Sequence, residues 1–311
     1  MHDVIEVSNL HKRYGDFPAV MDVSFSVRPG EVFCLLGPNG AGKTTTTEIL
    51  EGYRTLTSGE VRVLGHDPAG HEREMRERVG IVLQECGVQD DLTVAEVLDM
   101  YAAYAPRRRP VDEVIELVEL DAKATDRVKH LSGGQRRRLD VGLAIVGCPD
   151  VIFLDEPTTG FDPAARRSSW SMIRALSGLG TTVLLTTHFM DEAEALADRI
   201  AVVVGGRIAA EGTPQTLGGR DRAPSRIEVT VPSNIDVGRL PTLPAAVDLR
   251  RGHLTLSTHD TAGALHSLTA WAIDNAVDLD DLTVTRPTLE DVYLDLTTNA
   301  TDTRTTQESL R

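Results

Sequence analysis

The sequence has no apolar run that approaches the roughly 18 to 20 residues a membrane-spanning helix needs. Its first residues, Met1-His2-Asp3, include an acid, and the apolar stretch of a secretory signal is missing. Cysteine is also scarce, since Cys34, Cys86 and Cys148 lie far apart and show no C-x-x-C spacing. This argues against a disulfide framework and a zinc site, and it fits a reducing cytoplasm. We therefore expect a chain that cannot cross a bilayer by itself.

Basic residues are in deficit. The chain has 32 Lys and Arg residues against 47 Asp and Glu residues, a formal net charge of -15. A sequence-independent nucleic-acid binder needs a positive face, so we expect no nucleic-acid partner. Any phosphate site must then be positive locally. The length of 311 residues predicts one large and one small domain, because single cores usually stop growing at about 250 to 300 residues.

The most informative stretch is rich in glycine. It reads Gly37-Pro38-Asn39-Gly40-Ala41-Gly42-Lys43-Thr44, with the spacing G-x-x-x-x-G-K-T, and lies between the apolar run Val32–Leu36 and a predicted helix that begins at Thr45. Such a strand-to-helix turn is a P-loop, whose backbone N–H groups bind phosphate oxygens. Lys43 is placed to reach the β- and γ-phosphates, and Thr44 offers a hydroxyl to Mg²⁺. Residues 37–45 are therefore our nucleotide-binding candidates.

Two adjacent carboxylates follow another apolar run. Val151–Leu154 is typical of a strand buried on both faces of a parallel sheet, and Asp155 and Glu156 come directly after it. Ligands of doubly wound folds bind at the carboxyl ends of the strands. Asp155 can therefore hold Mg²⁺ or its water, and Glu156 can orient and deprotonate an attacking water. The structural alternative is a helix cap before Pro157.

Two more polar residues end predicted strands. His188 follows Thr182–Thr187, and from that position it can donate a hydrogen bond to a γ-phosphate oxygen and hold the water in line. Gln84 follows the strand Val79–Leu83. His188 would lie at the same edge of the sheet as Glu156. The catalytic candidates are therefore Glu156, His188, Gln84 and Lys43.

Leu131-Ser132-Gly133-Gly134-Gln135 precedes a helical pattern from Arg136 to Ile145. Ser132 is a predicted N-cap, and the two glycines leave backbone N–H groups open at the helix start. The pattern predicts a second anion-binding helix N-terminus within a helical insertion at about 90–147. The alternative is a simple cap.

Tyr14 lies between two predicted strands, Val4–Val7 and Ser24–Val27. An aromatic ring in that loop can stack on an adenine face. The structural alternative is a partly buried surface tyrosine.

A shift to turn-forming residues at 218–225 predicts a linker after a large domain at 1–217. The following stretch, 226–296, alternates predicted strands with a helix at Ala262–Ala272 and shows no catalytic constellation, so we interpret it as an accessory α+β domain. The Thr-rich end, 297–311, is expected to be disordered.

The P-loop, Gln84, Leu131–Gln135, Asp155-Glu156 and His188 stand in an order that resembles the nucleotide-binding subunit of an ABC transporter. The resemblance covers about residues 4–215. It implies an α/β fold with a P-loop NTPase core, an antiparallel β subdomain and a helical subdomain, followed here by the small α+β domain.

The resemblance also implies roles for individual residues. Tyr14 matches the aromatic residue that stacks on adenine, and Gln84 matches a glutamine that senses Mg²⁺ and the membrane partner. Ser132 to Gln135 match the signature motif. Thr159-Gly160-Phe161-Asp162 matches the D-loop, which places Asp162 near the nucleotide, although the family commonly has leucine where Phe161 stands.

Members of that family sandwich two ATP molecules between the P-loop of one subunit and the signature motif of the other. Because this chain carries one of each, the resemblance implies a dimer with itself or with a similar subunit. It further implies ATP and Mg²⁺ as cofactors and a separate multi-span permease that holds the subunit at the cytoplasmic face of the membrane.

Several stretches resemble the drug-resistance exporter subfamily, which is of the ABC-2, daunorubicin-resistance-like type. They are Glu48–Tyr53, Leu83–Glu85, Thr187–Glu194 and Pro287–Leu294. This favours export of a hydrophobic small molecule such as an antibiotic, while export of a lipid or polysaccharide stays open. In that subfamily the C-terminal domain is expected to contribute dimer contacts or permease pairing.

Two other functional classes agree less well with the sequence. A soluble ABC-type ATPase that acts on ribosomes or nucleic acid generally has two nucleotide domains in one chain or a long coiled-coil insertion, and this sequence has neither. A regulatory module that holds ATP without turnover is disfavoured by Glu156 and His188.

Overall fold

The computed structural model describes residues 2–82, 87–232, 235 and 240–294. The chain forms two compact units, the first ending at Pro214 and the second beginning at Gln215. The helices and strands of the first unit are β1 (Ile5–Tyr14), β2 (Phe17–Val27), β3 (Val32–Leu36), α1 (Lys43–Leu50), β4 (Ser58–Val63), α2 (Arg73–Arg76), β5 (Val79–Val82), α3 (Val94–Ala102), α4 (Val111–Leu117), α5 (Gly133–Ile145), β6 (Val151–Asp155), α6 (Pro163–Gly178), β7 (Thr182–Thr187), α7 (Met190–Leu196), β8 (Arg199–Val204) and β9 (Arg207–Gly212). Those of the second unit are β10 (Ser225–Thr230), β11 (Ala246–Arg250), β12 (His253–Thr258), α8 (Thr261–Asp274), β13 (Asp280–Thr285) and a helix α9 at 289–294.

The main sheet of the first unit has the strand order β5-β6-β7-β3-β8-β9 in the described residues. Its strands are parallel except for β9, which runs antiparallel to β8. In the ladders Leu36 pairs with Thr187, and Asp155 pairs with Thr186. The carboxyl ends of β3, β6 and β7 are therefore level, and the P-loop, the two carboxylates and His188 follow them at one edge of the sheet.

Burial on both faces explains why these strands read as continuous apolar runs. All five residues of β3 are buried, as are the first four of β6. A smaller antiparallel sheet, β2-β1-β4, packs against the main one, and Phe25 of β2 stacks on Phe33 of β3 with ring centroids 5.0 Å apart. The two sheets thus share one hydrophobic core.

The helices α3, α4 and α5 lie within the predicted insertion at 90–147. Both α3 and α5 begin with a capping box, formed by Thr93 with Glu96 and by Ser132 with Gln135. In each box the N-cap hydroxyl and the acidic or amide side chain satisfy backbone N–H groups that the helix leaves open. The N-termini of α3 and α5 are therefore fixed by hydrogen bonds within their own first turns.

The second unit is an antiparallel sheet in the order β11-β12-β10-β13, with α8 packed on it. Alternate residues of β10 and β12, including Ile227, Val229, Leu254 and Leu256, form its core together with Leu268 of α8. This period-2 burial is the pattern of a sheet covered on one face.

The structure differs from the sequence prediction in several elements. Tyr14 does not lie in a loop but ends β1, where it pairs with Phe17 of β2 across a tight turn. Register shifts along this pair interrupt the alternation of apolar residues, which hid the length of the strands. Helix α2 begins only at Arg73, because His71 takes a left-handed backbone conformation with φ of 51°. The predicted tail at 297–311 and Gln84 lie outside the described residues.

Neither β9 nor β11 was predicted. Both are edge strands with little buried apolar surface, so their formation depends on pairing with β8 and β12. In the described part of the chain no helix is both long enough and apolar enough to span a bilayer.

Glu51 caps the C-terminal end of α1 and has an unusual proton affinity. Burial raises the pKa of its carboxyl to about 8, and the negative charges of Asp155 and Glu48 act in the same direction. The folded chain therefore keeps this proton at neutral pH, whereas an unfolded chain releases it near 4.5. The stability that the protonated group contributes is complete below that value and is lost as the pH rises through about 8.

We predict that Glu51→Gln raises the melting temperature at pH 8 and leaves it nearly unchanged at pH 4.5, because glutamine has no proton to lose. The expected gain at pH 8 is about 1 to 3 kcal/mol in the free energy of unfolding. Thermal unfolding of the nucleotide-free protein measures this, with the exposed Glu116→Gln as the matched control. An equal gain at both pH values would contradict the assignment.

Candidate functional site

The P-loop connects β3 to α1 and is built so tightly that two glycines cannot be replaced. Gly42 has φ of 102°, and a Cβ there would lie 2.6 Å from the carbonyl oxygen of Ala19. A Cβ on Gly37 would lie 2.3 Å from the carbonyl oxygen of Val203. The backbone is therefore held by β2 and β8 in a turn that leaves the first N–H groups of α1 open for an anion.

Lys43 begins α1, and its side chain is only 4% exposed. Its ammonium donates hydrogen bonds to the carbonyl oxygens of Gly37 at 2.8 Å and Pro38 at 3.2 Å, so it lies across the loop. Nζ is also 3.6 Å from Oε1 of Glu156. Burial lowers the pKa of Lys43, and the charges of Glu156 and Asp155 oppose that shift. The amine is thus positioned between the phosphate-binding backbone and the carboxylates.

The hydroxyl of Thr44 donates to Asp155, with Oγ1 3.2 Å from Oδ2. The hydroxyl of Thr186, on the neighbouring strand β7, donates to the other oxygen of the same carboxylate. No group of three or more His, Cys, Asp or Glu side chains that could hold a metal by themselves occurs among the described residues. One carboxylate and one hydroxyl beside a phosphate-binding loop fit Mg²⁺, which keeps several waters and shares phosphate oxygens as ligands.

Glu156 is the centre of a second group of contacts. Its Oε1 is 3.3 Å from Nδ1 of His188, and its Oε2 accepts a hydrogen bond of 3.1 Å from the hydroxyl of Thr159. Its backbone has φ of 46°, a strained conformation for a residue with a side chain, and its N–H donates to Thr186. The carboxylate lies within reach of both His188 and Lys43.

These contacts also set the charge of Glu156. Burial alone would raise the pKa of the carboxyl, but hydrogen bonds with His188 and Thr159 and the charge of Lys43 hold it below its usual value. The carboxylate is therefore ionised at neutral pH and can accept a proton from water.

A cleft of about 400 Å³ opens beside the P-loop. It is lined by Tyr14 and Phe17, which are 40% and 63% exposed, and by Lys43, Thr44 and Glu156. Exposed aromatic rings suit a nucleobase, and a buried ammonium with open backbone N–H groups suits phosphates. The cation of Lys12 lies 5.1 Å from the ring centroid of Tyr14.

The signature stretch lies apart from this cleft. Ser132 caps α5, as predicted, and the side chain of Gln135 accepts from the N–H of Ser132. A Cβ on Gly133 or Gly134 would meet no described atom within 4 Å, so the chain's own packing does not require glycine at either position. Among the described residues that line the cleft, none comes from Ser132–Gln135.

Asp162 caps α6, where its carboxylate accepts from the N–H groups of Ala164 and Ala165 at 2.8 and 2.9 Å. These backbone hydrogen bonds lower the pKa of Asp162. Gln84, the remaining predicted site residue, lies outside the described residues.

Four residues of the site were not predicted from the sequence. Phe17 lines the cleft, and the hydroxyls of Thr186 and Thr159 donate hydrogen bonds to Asp155 and Glu156. Arg137 of α5 donates to the carbonyl oxygen of Asp155 at 3.1 Å. Only Thr186 left a usable signal, because it stands two residues before His188 at the end of a predicted strand.

The sequence has relatives of known function. It is 37% identical over 301 residues to a daunorubicin resistance ATP-binding protein of Streptomyces coeruleorubidus, covering 94% of this chain and 95% of the relative. It is 44% identical over 219 residues to the Nod factor export ATP-binding protein I of Ralstonia nicotianae, covering 69% of this chain and 68% of the relative. The chain belongs to the ABC transporter family of ATP-binding subunits.

Family models and solved structures agree with this membership. The ABC transporter model matches residues 20–159, and a model for the C-terminal domain of ABC transporter domain-containing proteins matches 225–288. A subunit of an ABC transporter complex from Clostridium perfringens has a TM-score of 0.62 at 26% identity, covering 69% of this chain and 90% of that one. An ATP-binding cassette in its ADP conformation has a TM-score of 0.61 at 25% identity, covering 68% and 92%.

This ABC subunit is therefore an ATPase with a P-loop NTPase core, as the sequence predicted. ATP-binding subunits of the family work with membrane permeases and dimerise. The cleft beside the P-loop is therefore the candidate nucleotide site.

We predict that Lys43→Ala abolishes ATP binding, because no other cation lines the described cleft and the phosphates would lose their charged contact. Equilibrium binding of a fluorescent ATP analogue measures the loss, which should exceed about tenfold in Kd. Lys123→Ala, which removes a lysine paired with Asp126 outside the cleft, is the control. Binding and turnover at the wild-type level in Lys43→Ala would refute the P-loop assignment.

Proposed function

We propose that this subunit drives the export of a hydrophobic small molecule through a separate membrane permease. The observation that carries the proposal is the likeness to the daunorubicin resistance protein, which extends over both units of the chain. The likeness to Nod factor export proteins ends after about two thirds of it. The relative that matches the whole chain therefore favours a drug-like substrate. The subunit would lie at the cytoplasmic face of the membrane, held there by the permease.

In the proposed reaction Glu156 orients a water and accepts its proton, and His188 holds that water in line with the γ-phosphate. Lys43 and the N–H groups of residues 40–45 hold the phosphates, and Tyr14 stacks on the adenine. Mg²⁺ bound through Thr44, Asp155 and Gln84 would neutralise charge on the transferring phosphoryl group. The ionised state of Glu156 and its 3.3 Å approach to His188 support these roles.

We infer that the ATP site is completed by a second subunit. Ser132, Gly133, Gly134 and Gln135 open the 13-residue helix α5 but do not line the described cleft, and both glycines face open space. Bare N–H groups at a helix start favour an anion, and glycine lets it approach closely. A head-to-tail dimer would bring this helix end, with Asp162, to the γ-phosphate bound by the other subunit.

We predict that Glu156→Gln binds ATP but stalls hydrolysis, since glutamine keeps the shape of the side chain and cannot accept the proton. The stalled variant should accumulate as a dimer with two ATP molecules, seen by size-exclusion chromatography with light scattering. Adding Lys43→Ala to the same chain should return it to the monomer. If Glu156→Gln hydrolysed ATP at the wild-type rate, the general-base role would be wrong.

A groove of about 660 Å³ is the proposed docking site for the permease. It is lined by residues of β5, the α2 region, α3 and α5. Gly87 also lines it and follows, in the sequence, the stretch that contains Gln84. Tyr53, Tyr101 and Tyr104 line it and are 61%, 39% and 81% exposed. Exposed aromatic side chains around a concave surface are typical anchors of a protein interface. We assign its occupant as a cytoplasmic segment of the permease.

The groove assignment predicts that Tyr104→Asp reduces recovery of the permease by about tenfold, because it places a charge where the partner buries apolar surface. The measurement is affinity isolation of the tagged chain from detergent-solubilised host membranes, followed by mass spectrometry. Leu179→Asp, at a residue 51% exposed outside the groove, is the matched control. Recovery of ribosomal or other soluble partners alone would contradict the transporter assignment.

We assign the second unit an accessory role in dimer contacts or permease pairing. Its sheet and α8 are built around their own core. Two findings support this role. A family model of the C-terminal domain matches residues 225–288, and the likeness to the daunorubicin resistance protein extends over this unit.

A further inference from the structure

Helix α7 carries a carboxyl group that is completely buried, that of Glu192. Acidic side chains are rarely buried to this degree unless they are paired. Its Oε1 accepts two hydrogen bonds, one of 2.7 Å from the hydroxyl of Thr158 and one of 3.2 Å from the indole N–H of Trp170. Burial raises the pKa of this carboxyl despite hydrogen bonds from Thr187, Thr158 and Trp170.

Thr158 and Glu192 are each close in the sequence to one of the two proposed catalytic residues. Thr158 stands two residues after Glu156 and is itself fully buried. Glu192 stands four residues after His188, on the helix that the histidine precedes. The hydrogen bond between Thr158 and Glu192 therefore joins the segment that leaves Glu156 to the helix that follows His188.

A second contact ties α6 to the start of α7. The guanidinium of Arg166 lies 4.1 Å from the ring centroid of Phe189 and 3.2 Å from the carboxylate of Asp191. Arg166 and Trp170 are four residues apart on α6, so both point from one face of that helix toward α7. Helix α6 thus contacts α7 at two positions, through Arg166 near its start and through Trp170, whose partner Glu192 is the buried one.

We propose that Glu192 is a positioning residue for ATP hydrolysis, which holds Thr158 so that Glu156 stays within reach of His188. The proposal rests on the catalytic roles proposed above for Glu156 and His188. Glu192 does not line the described nucleotide cleft, so it acts through the geometry of the two catalytic side chains. Small displacements matter there, since a misplacement of about 1 Å can cost about a hundredfold in rate.

Two variants separate positioning from general stability. Thr158→Val and Trp170→Phe each remove one of the two donors to Oε1, the first on the side of Glu156 and the second within α6. A structural role predicts that both lower the melting temperature and that neither changes kcat. Positioning predicts that only Thr158→Val lowers kcat, by about tenfold or more, with the KM for ATP within about twofold of the wild type.

The experiment is steady-state ATP hydrolysis by the full chain, with melting temperatures measured on the same preparations. Glu192→Gln keeps an oxygen acceptor for both donors and should hold kcat within about threefold of the wild type. A wild-type kcat in Thr158→Val, or equal losses of kcat in Thr158→Val and Trp170→Phe, would overturn the proposal.

Glu156→Gln assayed in parallel keeps the two proposals distinguishable. If Glu156→Gln is stalled while Thr158→Val is unchanged, the positioning role of Glu192 fails alone. If Glu156→Gln turns over ATP normally, the general-base role fails, and the positioning inference falls with it.

Discussion

The hydrogen-bonded register between β3, β7 and β6 is the constraint on which the site depends. Because Leu36 pairs with Thr187 and Asp155 with Thr186, the three strands end at the same level. A shift of one residue in either ladder would rotate alternate side chains to the other face of the sheet and separate Lys43 from Glu156. The buried apolar runs of these strands hold the register, so the hydrophobic core and the catalytic geometry have the same origin.

Electrostatics explains how an acidic chain presents a phosphate site. One buried ammonium, the open N–H groups of α1 and the glycine-rich turn supply positive potential locally, although the chain carries a net charge of -15. Asp155 and Glu156 lie next to these positive groups. Their oxygens accept hydrogen bonds from the hydroxyls of Thr44, Thr186 and Thr159. The two carboxylates are thus kept where the proposed Mg²⁺ and attacking water would need them, beside the positive groups proposed to bind the phosphates.

Much of the fold and of the candidate site could be predicted from the sequence, because the catalytic candidates follow apolar runs that predict strands. The strand ends of β3, β6 and β7 indicated that Lys43, Glu156 and His188 meet, and the family resemblance gave the fold. What the sequence could not give was contact between side chains distant in the chain. The hydroxyl of Thr158 and the carboxyl of Glu192 are 34 residues apart in the chain, and no periodicity in the sequence predicts their hydrogen bond. The edge strands β9 and β11 were missed for the same reason, since their neighbours rather than their own residues make them strands.

We propose that the three strand ends form one half of an ATP site and that helix α5 of a second subunit forms the other. The most direct measurement is an experimental structure of the Glu156→Gln variant with ATP and Mg²⁺. We expect two chains head to tail, with phosphates on the N–H groups of residues 40–45 and Mg²⁺ at Thr44 and Asp155. Ser132 of each chain should face the γ-phosphate held by the other. ATP bound to a single chain elsewhere on the first unit, or a dimer in which α5 faces away from the nucleotide, would contradict it.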